Sequence, residues 1–149
     1  SVSAGKDASD LLKAADVRTT PVREATLRAL LDAESPLSQR DLAKSPELGR
    51  VNKVTLYRTL ETLVRAGVAH RVIGADGEWR FCARAGEKGR CAGNHPHFLC
   101  LKCGRMECLR EQRMPRVDVR DGSVVEGKQL IVYGTCPECG GKGRNATEE

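Results

Sequence analysis

Residues 52–82 read NKVTLYRTLETLVRAGVAHRVIGADGEWRFC, and a change of period inside this stretch decides the fold. From Asn52, placed as a helix cap, Leu56, Leu60, Leu63 and Val64 recur at helical spacing and share one face, while Lys53, Tyr57, Arg58, Glu61 and Arg65 project from the others. Behind Ala66-Gly67 the pattern becomes alternation. Residues 68–73 and 78–82 flank Gly74-Ala75-Asp76-Gly77, which predicts a β-hairpin. A helix that runs straight into a hairpin is the end of a winged helix-turn-helix, with the helix in a DNA major groove and the hairpin against the backbone. Arg50, Lys53, Arg58, Arg65 and Arg71 face only Glu61 in acid, so positive charge falls where a DNA-reading helix needs it. A solvated helix face in a domain that binds no DNA has the same pattern, and both readings stand at this point.

Upstream, prolines punctuate three more helices. Asp10 to Ala15 offers a short first one; Thr20-Pro21 caps a second through Leu27, Leu30 and Leu31; and Ser38-Gln39-Arg40-Asp41 resembles a capping box that opens a third, ending around Ser45-Pro46. Downstream, strands are expected on both sides of Cys100-Leu101-Lys102-Cys103 and again over 129–134. Between them, 110–127 leaves room only for a short helix after Pro115.

The two pairs Cys100/Cys103 and Cys136/Cys139 carry the strongest chemical signal. Two intervening residues let both sulfurs of a pair point at one centre from a tight turn, so two such turns supply four thiolates for a structural Zn²⁺. Seven cysteines, an odd number, fit metal ligation in a reducing cytosol better than a disulfide framework. No segment approaches the ~20 apolar residues of a membrane span, and the N-terminus has no signal-peptide core, so a cytoplasmic protein without a membrane partner is expected. A length of 149 residues with 3% aromatics implies small aliphatic cores that lean on metal, and a net charge of +5 permits nucleic-acid binding without requiring it.

Further soft ligands surround this site. Hairpin pairing brings His70 near Cys82, and His95-Pro96-His97 on a strand places both imidazoles on one face. Cys91, Glu107 and Cys108 are secondary alternatives in the same region.

Three motifs together resemble the Fur family of metal-responsive bacterial repressors over residues 10–140: Val54-Thr55-Leu56-Tyr57-Arg58-Thr59-Leu60 with Ala66-Gly67-Val68, then His95 through Gly104, then Tyr133-Gly134-Thr135-Cys136-Pro137-Glu138-Cys139. The resemblance implies an α+β chain: a winged helix-turn-helix at 1–82, a hinge at 83–94, and an α/β dimerisation domain with the four-cysteine zinc site at 95–140, followed by a disordered tail at 141–149. It implies a homodimer on an AT-rich palindromic operator in double-stranded DNA, with no small-molecule substrate. DNA contacts are expected from Lys53, Thr55, Tyr57, Arg58, Arg65 and Arg71, with Tyr57 on thymine methyls and Arg58 on a purine edge. His70, Cys82, His95 and His97 match the regulatory ligand positions, so each protomer is expected to hold one structural and one regulatory Zn²⁺. The thiolate of Cys82 makes the zinc uptake regulator branch the nearest likeness, since iron, manganese and peroxide sensors rely on His and carboxylate ligands. Asn94, Pro115 and Lys128 stand where many relatives place a second regulatory site, which is therefore expected to be absent.

Three rivals remain open to test. One is an iron- or peroxide-sensing repressor of the same family. Another is a zinc module that binds no DNA. The third is a zinc enzyme using Glu78 or Glu107 as acid or base, which four protein ligands would close against substrate.

Overall fold

The computed structural model describes residues 4–83, 95–109 and 111–140, with side chains from Ala8 onward. Cys91, Asn94, the hinge beyond Ala83 and the tail 141–149 lie outside the described residues. Helix α1 (Ala4–Ala14) starts earlier than its expected beginning at Asp10. Thr20 caps α2 (Pro21–Asp32), its hydroxyl accepting the Arg23 N–H at 3.2 Å. After β1 (Leu37–Ser38), Ser38 and Asp41 close a complete capping box on α3 (Gln39–Leu42), each backbone N–H reaching the other's side chain at 3.0 Å. Ser45-Pro46 ends this helix as expected but also starts another turn, α4 (Pro46–Gly49), because serine at the cap and proline at the first position are a start signal too.

Helix α5 (Lys53–Arg65) follows, capped by Asn52 Oδ1, which accepts the N–H groups of Val54 at 2.7 Å and Thr55 at 3.4 Å. Its Leu56, Thr59, Leu60 and Leu63 are buried, and Lys53, Thr55, Tyr57, Arg58 and Arg65 are exposed. Gly67, at φ +84°, ends it in the left-handed region, with Val68 N–H bonded to the Leu63 carbonyl. That reversal feeds the chain into the hairpin of β2 (Ala69–Ile73) and β3 (Trp79–Ala83). β1 adds a third strand through Leu37↔Phe81, giving the order β1-β3-β2. Two residues are too few to show a period, which is why this strand is invisible in the sequence.

The hairpin has two working faces. Ala69, Phe81 and Ala83 pack into the helical core with Leu12, Leu27, Leu42, Leu48, Leu56, Leu60 and Leu63. The opposite face, by strand alternation, carries His70, Val72, Arg80 and Cys82, with His70↔Cys82 and Val72↔Arg80 as cross-strand pairs. Val72 enters a second core with Leu99 and Met106, against which Ile131 packs.

The second sheet has the order β5-β4-β6. β4 (His97–Cys100) pairs antiparallel with β5 (Met106–Cys108) and parallel with β6 (Ile131–Gly134), and α6 (Pro137–Gly140) is the single turn of the second CxxC. The helix for which the sequence leaves room after Pro115 does not form: 113–130 carry neither helix nor strand. Val117 and Val119 alternate with Asp118 and Arg120, which gives no apolar stripe at helical spacing. The strand expected from Gln129 begins only at Ile131. Among the described residues no helix is long and apolar enough to cross a membrane.

Candidate metal centres and DNA-facing surface

The two CxxC turns meet. Ligand atoms of Cys100, Cys103, Cys136 and Cys139 all lie within 4.8 Å of one another, and Cys103 Sγ is 3.9 Å from Cys136 Sγ. A tetrahedral zinc with Zn–S bonds of about 2.3 Å needs sulfurs about 3.8 Å apart, so the set fits that ion. Cys100 is fully buried at the junction of the turns. Its sulfur accepts the N–H of Cys103 at 3.4 Å and of Cys136 at 3.3 Å, and these dipoles pull its thiol down to about 6. Cys139 is pushed up to about 12 by the neighbouring Cys136 thiol, by burial, and by Cys103 and Cys100. Four thiols this close resist joint ionisation, and a dication removes that resistance.

A second group assembles on the β4–β5 pair. Ligand atoms of His95, His97 and Cys108 lie within 4.8 Å of one another, and the two imidazole centroids are 4.9 Å apart. Register explains it: His97 stands directly opposite Cys108, one step of the same face beyond Leu99↔Met106. Both histidines are buried and Cys108 is half-buried. Glu107 pairs with Phe98, so alternation puts it on the other face, and it is exposed.

Of the four residues expected to act together, the fold gathers two tightly. His70 and Cys82 are cross-strand partners on the hairpin face that also sends Val72 into the second core, so both face the layer between the sheets. Among the described residues, no group of three ligand atoms within 4.8 Å includes either of them. Cys108, a secondary alternative in the sequence, is the residue that joins the histidines. The closure of the first CxxC turn sets this pairing. Cys100 N–H bonds the Arg105 carbonyl across the first CxxC turn, and counting outward from that closure pairs 97 with 108.

The DNA-facing candidates lie at three places, the start of α5, its far end and the hairpin. Lys53, Tyr57 and Arg58 lie on the outer surface of the first turns of α5, and Tyr57 is 43% exposed. Arg65 is twelve residues from Lys53, about 18 Å along the axis, so it serves the far end of any footprint. Arg71 lies on the hairpin with its guanidinium 4.6 Å from the Trp79 ring centroid.

Comparison with known proteins agrees with this architecture. The profile described as the ferric uptake regulator family matches residues 14–127. The ferric uptake regulation protein of Bacillus subtilis is 34% identical over 141 residues, spanning 88% of this chain and 91% of that protein. The peroxide-responsive repressor PerR of Staphylococcus epidermidis is 27% identical over 135 residues, 86% of this chain and 85% of that one. A solved structure of a zinc uptake regulator complexed with zinc and DNA superposes with a TM-score of 0.61 at 19% identity, covering 90% of this chain and 91% of that chain.

Proposed function

Because this chain belongs to the ferric uptake regulator family, we propose that it is a zinc-responsive repressor acting as a homodimer on operator DNA. The family's members are metal-responsive transcription regulators rather than enzymes, and they bind operator DNA as dimers. The observation that supports zinc is the His95, His97 and Cys108 group, an imidazole and thiolate donor set on one sheet face. Such donors suit zinc, whereas carboxylate oxygens suit manganese and magnesium. Cys82 is the proposed closing ligand, with His70 opposite it, because both face the same layer from the DNA-binding half. When bound, the ion would supply an attraction between hairpin and second sheet that favours one relative placement of the two. The four-cysteine group is the proposed permanent zinc site. A regulator of transcription works where the chromosome is, so the cytoplasm is the proposed compartment.

The test compares zinc, Fe(II) and Mn(II) as supports for binding a duplex selected by the protein from a randomised pool. Zinc alone supporting tight binding, with one zinc in each site, is the expected result. A second reading follows from the relatives, which are named for ferric uptake and peroxide response. Fe(II) supporting binding where zinc does not would establish it.

Base reading is assigned to the start of α5. No acidic residue occupies its first turn, so the N-terminal dipole remains available to a phosphate. Arg58→Ala is expected to lose about 1–3 kcal/mol of discrimination between the selected duplex and a scrambled one, the range of one bidentate base contact. Competition titrations read that difference; unchanged discrimination with an intact dimer would remove Arg58 from the reading set.

Dimerisation is assigned to the open side of the second sheet. β6 is an edge strand in the order β5-β4-β6, and it exposes Val132 at 47% and Tyr133 at 60%. An edge lysine disfavours strand addition and apolar docking. Val132→Lys is therefore expected to shift the protein to monomer by light scattering at micromolar concentration, with the four-cysteine zinc retained.

A further inference from the structure

Arg80 occupies an unusual position for a charged residue in a hairpin. Its side chain is 2% exposed, on the face directed away from the helices. Nη1 and Nη2 donate to Asp76 Oδ1 at 3.2 Å and Oδ2 at 3.0 Å, a fork-to-fork pair across the hairpin turn. Nη2 also donates to the Gly104 carbonyl at 2.9 Å, and Gly104 directly follows Cys103 in the first CxxC turn. One guanidinium thus ties the hairpin tip to the turn that carries half of the four-cysteine group.

Two other contacts join the same pieces. Ile73 turns its N–H and carbonyl outward from the hairpin, and the Gln129 side-chain amide bonds both at 3.1 Å, acting as one rung of a missing strand. Val72 packs with Leu99 and Met106 in the second core. Gly74 leaves space for all of this: a Cβ there would come within 2.6 Å of Arg80 Nη1, 2.8 Å of Asp76 Oδ1 and 3.0 Å of Leu99 Cδ2. The base of the hairpin belongs to the helical core and its tip to the metal-binding half.

We infer that Arg80 is a positioning residue for DNA binding: it latches the hairpin to the first CxxC turn, so that hairpin and metal-binding sheet move as one body and set where α5 meets DNA. The latch is separate from the His95, His97 and Cys108 group, and its effect on DNA rests on the repressor reading above. Asp76, held below its ordinary 3.8 by the Arg80 hydrogen bonds, reports whether the fork is closed.

The experiment uses the zinc-loaded full chain. Arg80→Met removes every donor while keeping a long apolar stem; Gly74→Ala displaces the fork without touching DNA-facing or metal-ligating residues; Arg80→Lys keeps the charge but not the fork. Expected for the first two are unchanged zinc content and helical signal, and faster exchange of the Ile73 amide. The Asp76 carboxyl should titrate closer to 3.8, and affinity for the selected duplex should fall roughly tenfold, within the usual span of coupling between sites. Lysine should restore part of the affinity. An unchanged Ile73 amide in both Arg80→Met and Gly74→Ala would overturn the latch, and faster exchange with unchanged DNA affinity would overturn its role in positioning. If the wild-type protein selects no duplex, the repressor reading fails instead, while Ile73 exchange still decides whether the latch exists.

Discussion

Cys100→Ser is expected to unfold the second sheet while leaving the helical half folded. Cys100 is fully buried and its sulfur accepts backbone N–H groups from both CxxC turns, so it is the junction of the knuckle. Among the described residues, the core beside it holds Val72, Leu99 and Met106 fully buried, too few to order β4 through α6 unaided. Structural zinc contributes about 10–16 kcal/mol in small zinc-finger peptides, and here it would carry the same burden. Hydrogen exchange should show β4 and β5 unprotected, α5 protected as in the wild type, and the zinc of the four-cysteine group gone. Persistent protection of β4 would show that packing alone holds the sheet.

The second large effect is expected at Cys108. Cys108→Ser should leave the four-cysteine zinc and the dimer in place but abolish metal-dependent DNA binding. Its sulfur lies with the His95 and His97 imidazoles in one group of possible ligand atoms, and a hydroxyl is a far poorer zinc ligand at neutral pH. A metal can shift a two-state equilibrium only by its differential affinity for the two states, so a crippled site shifts little. DNA affinity in saturating zinc should fall to the metal-free level, at least about tenfold for coupling of ordinary size. Glu107→Gln is the internal control, since that side chain lies on the exposed face one residue away. If Glu107→Gln abolishes the response and Cys108→Ser does not, the ligand set is the carboxylate one.

These two cysteines belong to different groups in the fold. The four-cysteine group joins the two CxxC turns beside β4 and β6, and the His95, His97 and Cys108 group lies on the sheet face from which Leu99 and Met106 pack against Val72 of the hairpin. The hairpin stands between both groups and α5, because its faces are shared between the two cores. Val72 and Arg80, on one cross-strand pair, contact the metal-binding half, while Phe81, next in the chain, contacts the helices.

Much of this was legible in the chain itself, wherever the cause is local. Asn52 caps α5, Gly67 ends it, and Ser38 with Asp41 closes a capping box, since each signal acts within a few residues of its partner. The two CxxC pairs declare themselves by spacing, because each is one tight turn. The sequence therefore determined the helix, the hairpin and the identity of the four thiolates. Tertiary structure decided what faces what across the hairpin. His70 and Cys82 stand ahead of Cys108 in the sequence reading, yet the β4–β5 register put Cys108 opposite His97. Arg80 has its carboxylate partners, Asp76 and Glu78, within four residues, but the approach of the Gly104 carbonyl comes from the second half of the chain. Both outcomes depend on sheet register and sheet-to-sheet packing between residues far apart in the chain, and no local propensity encodes those distances.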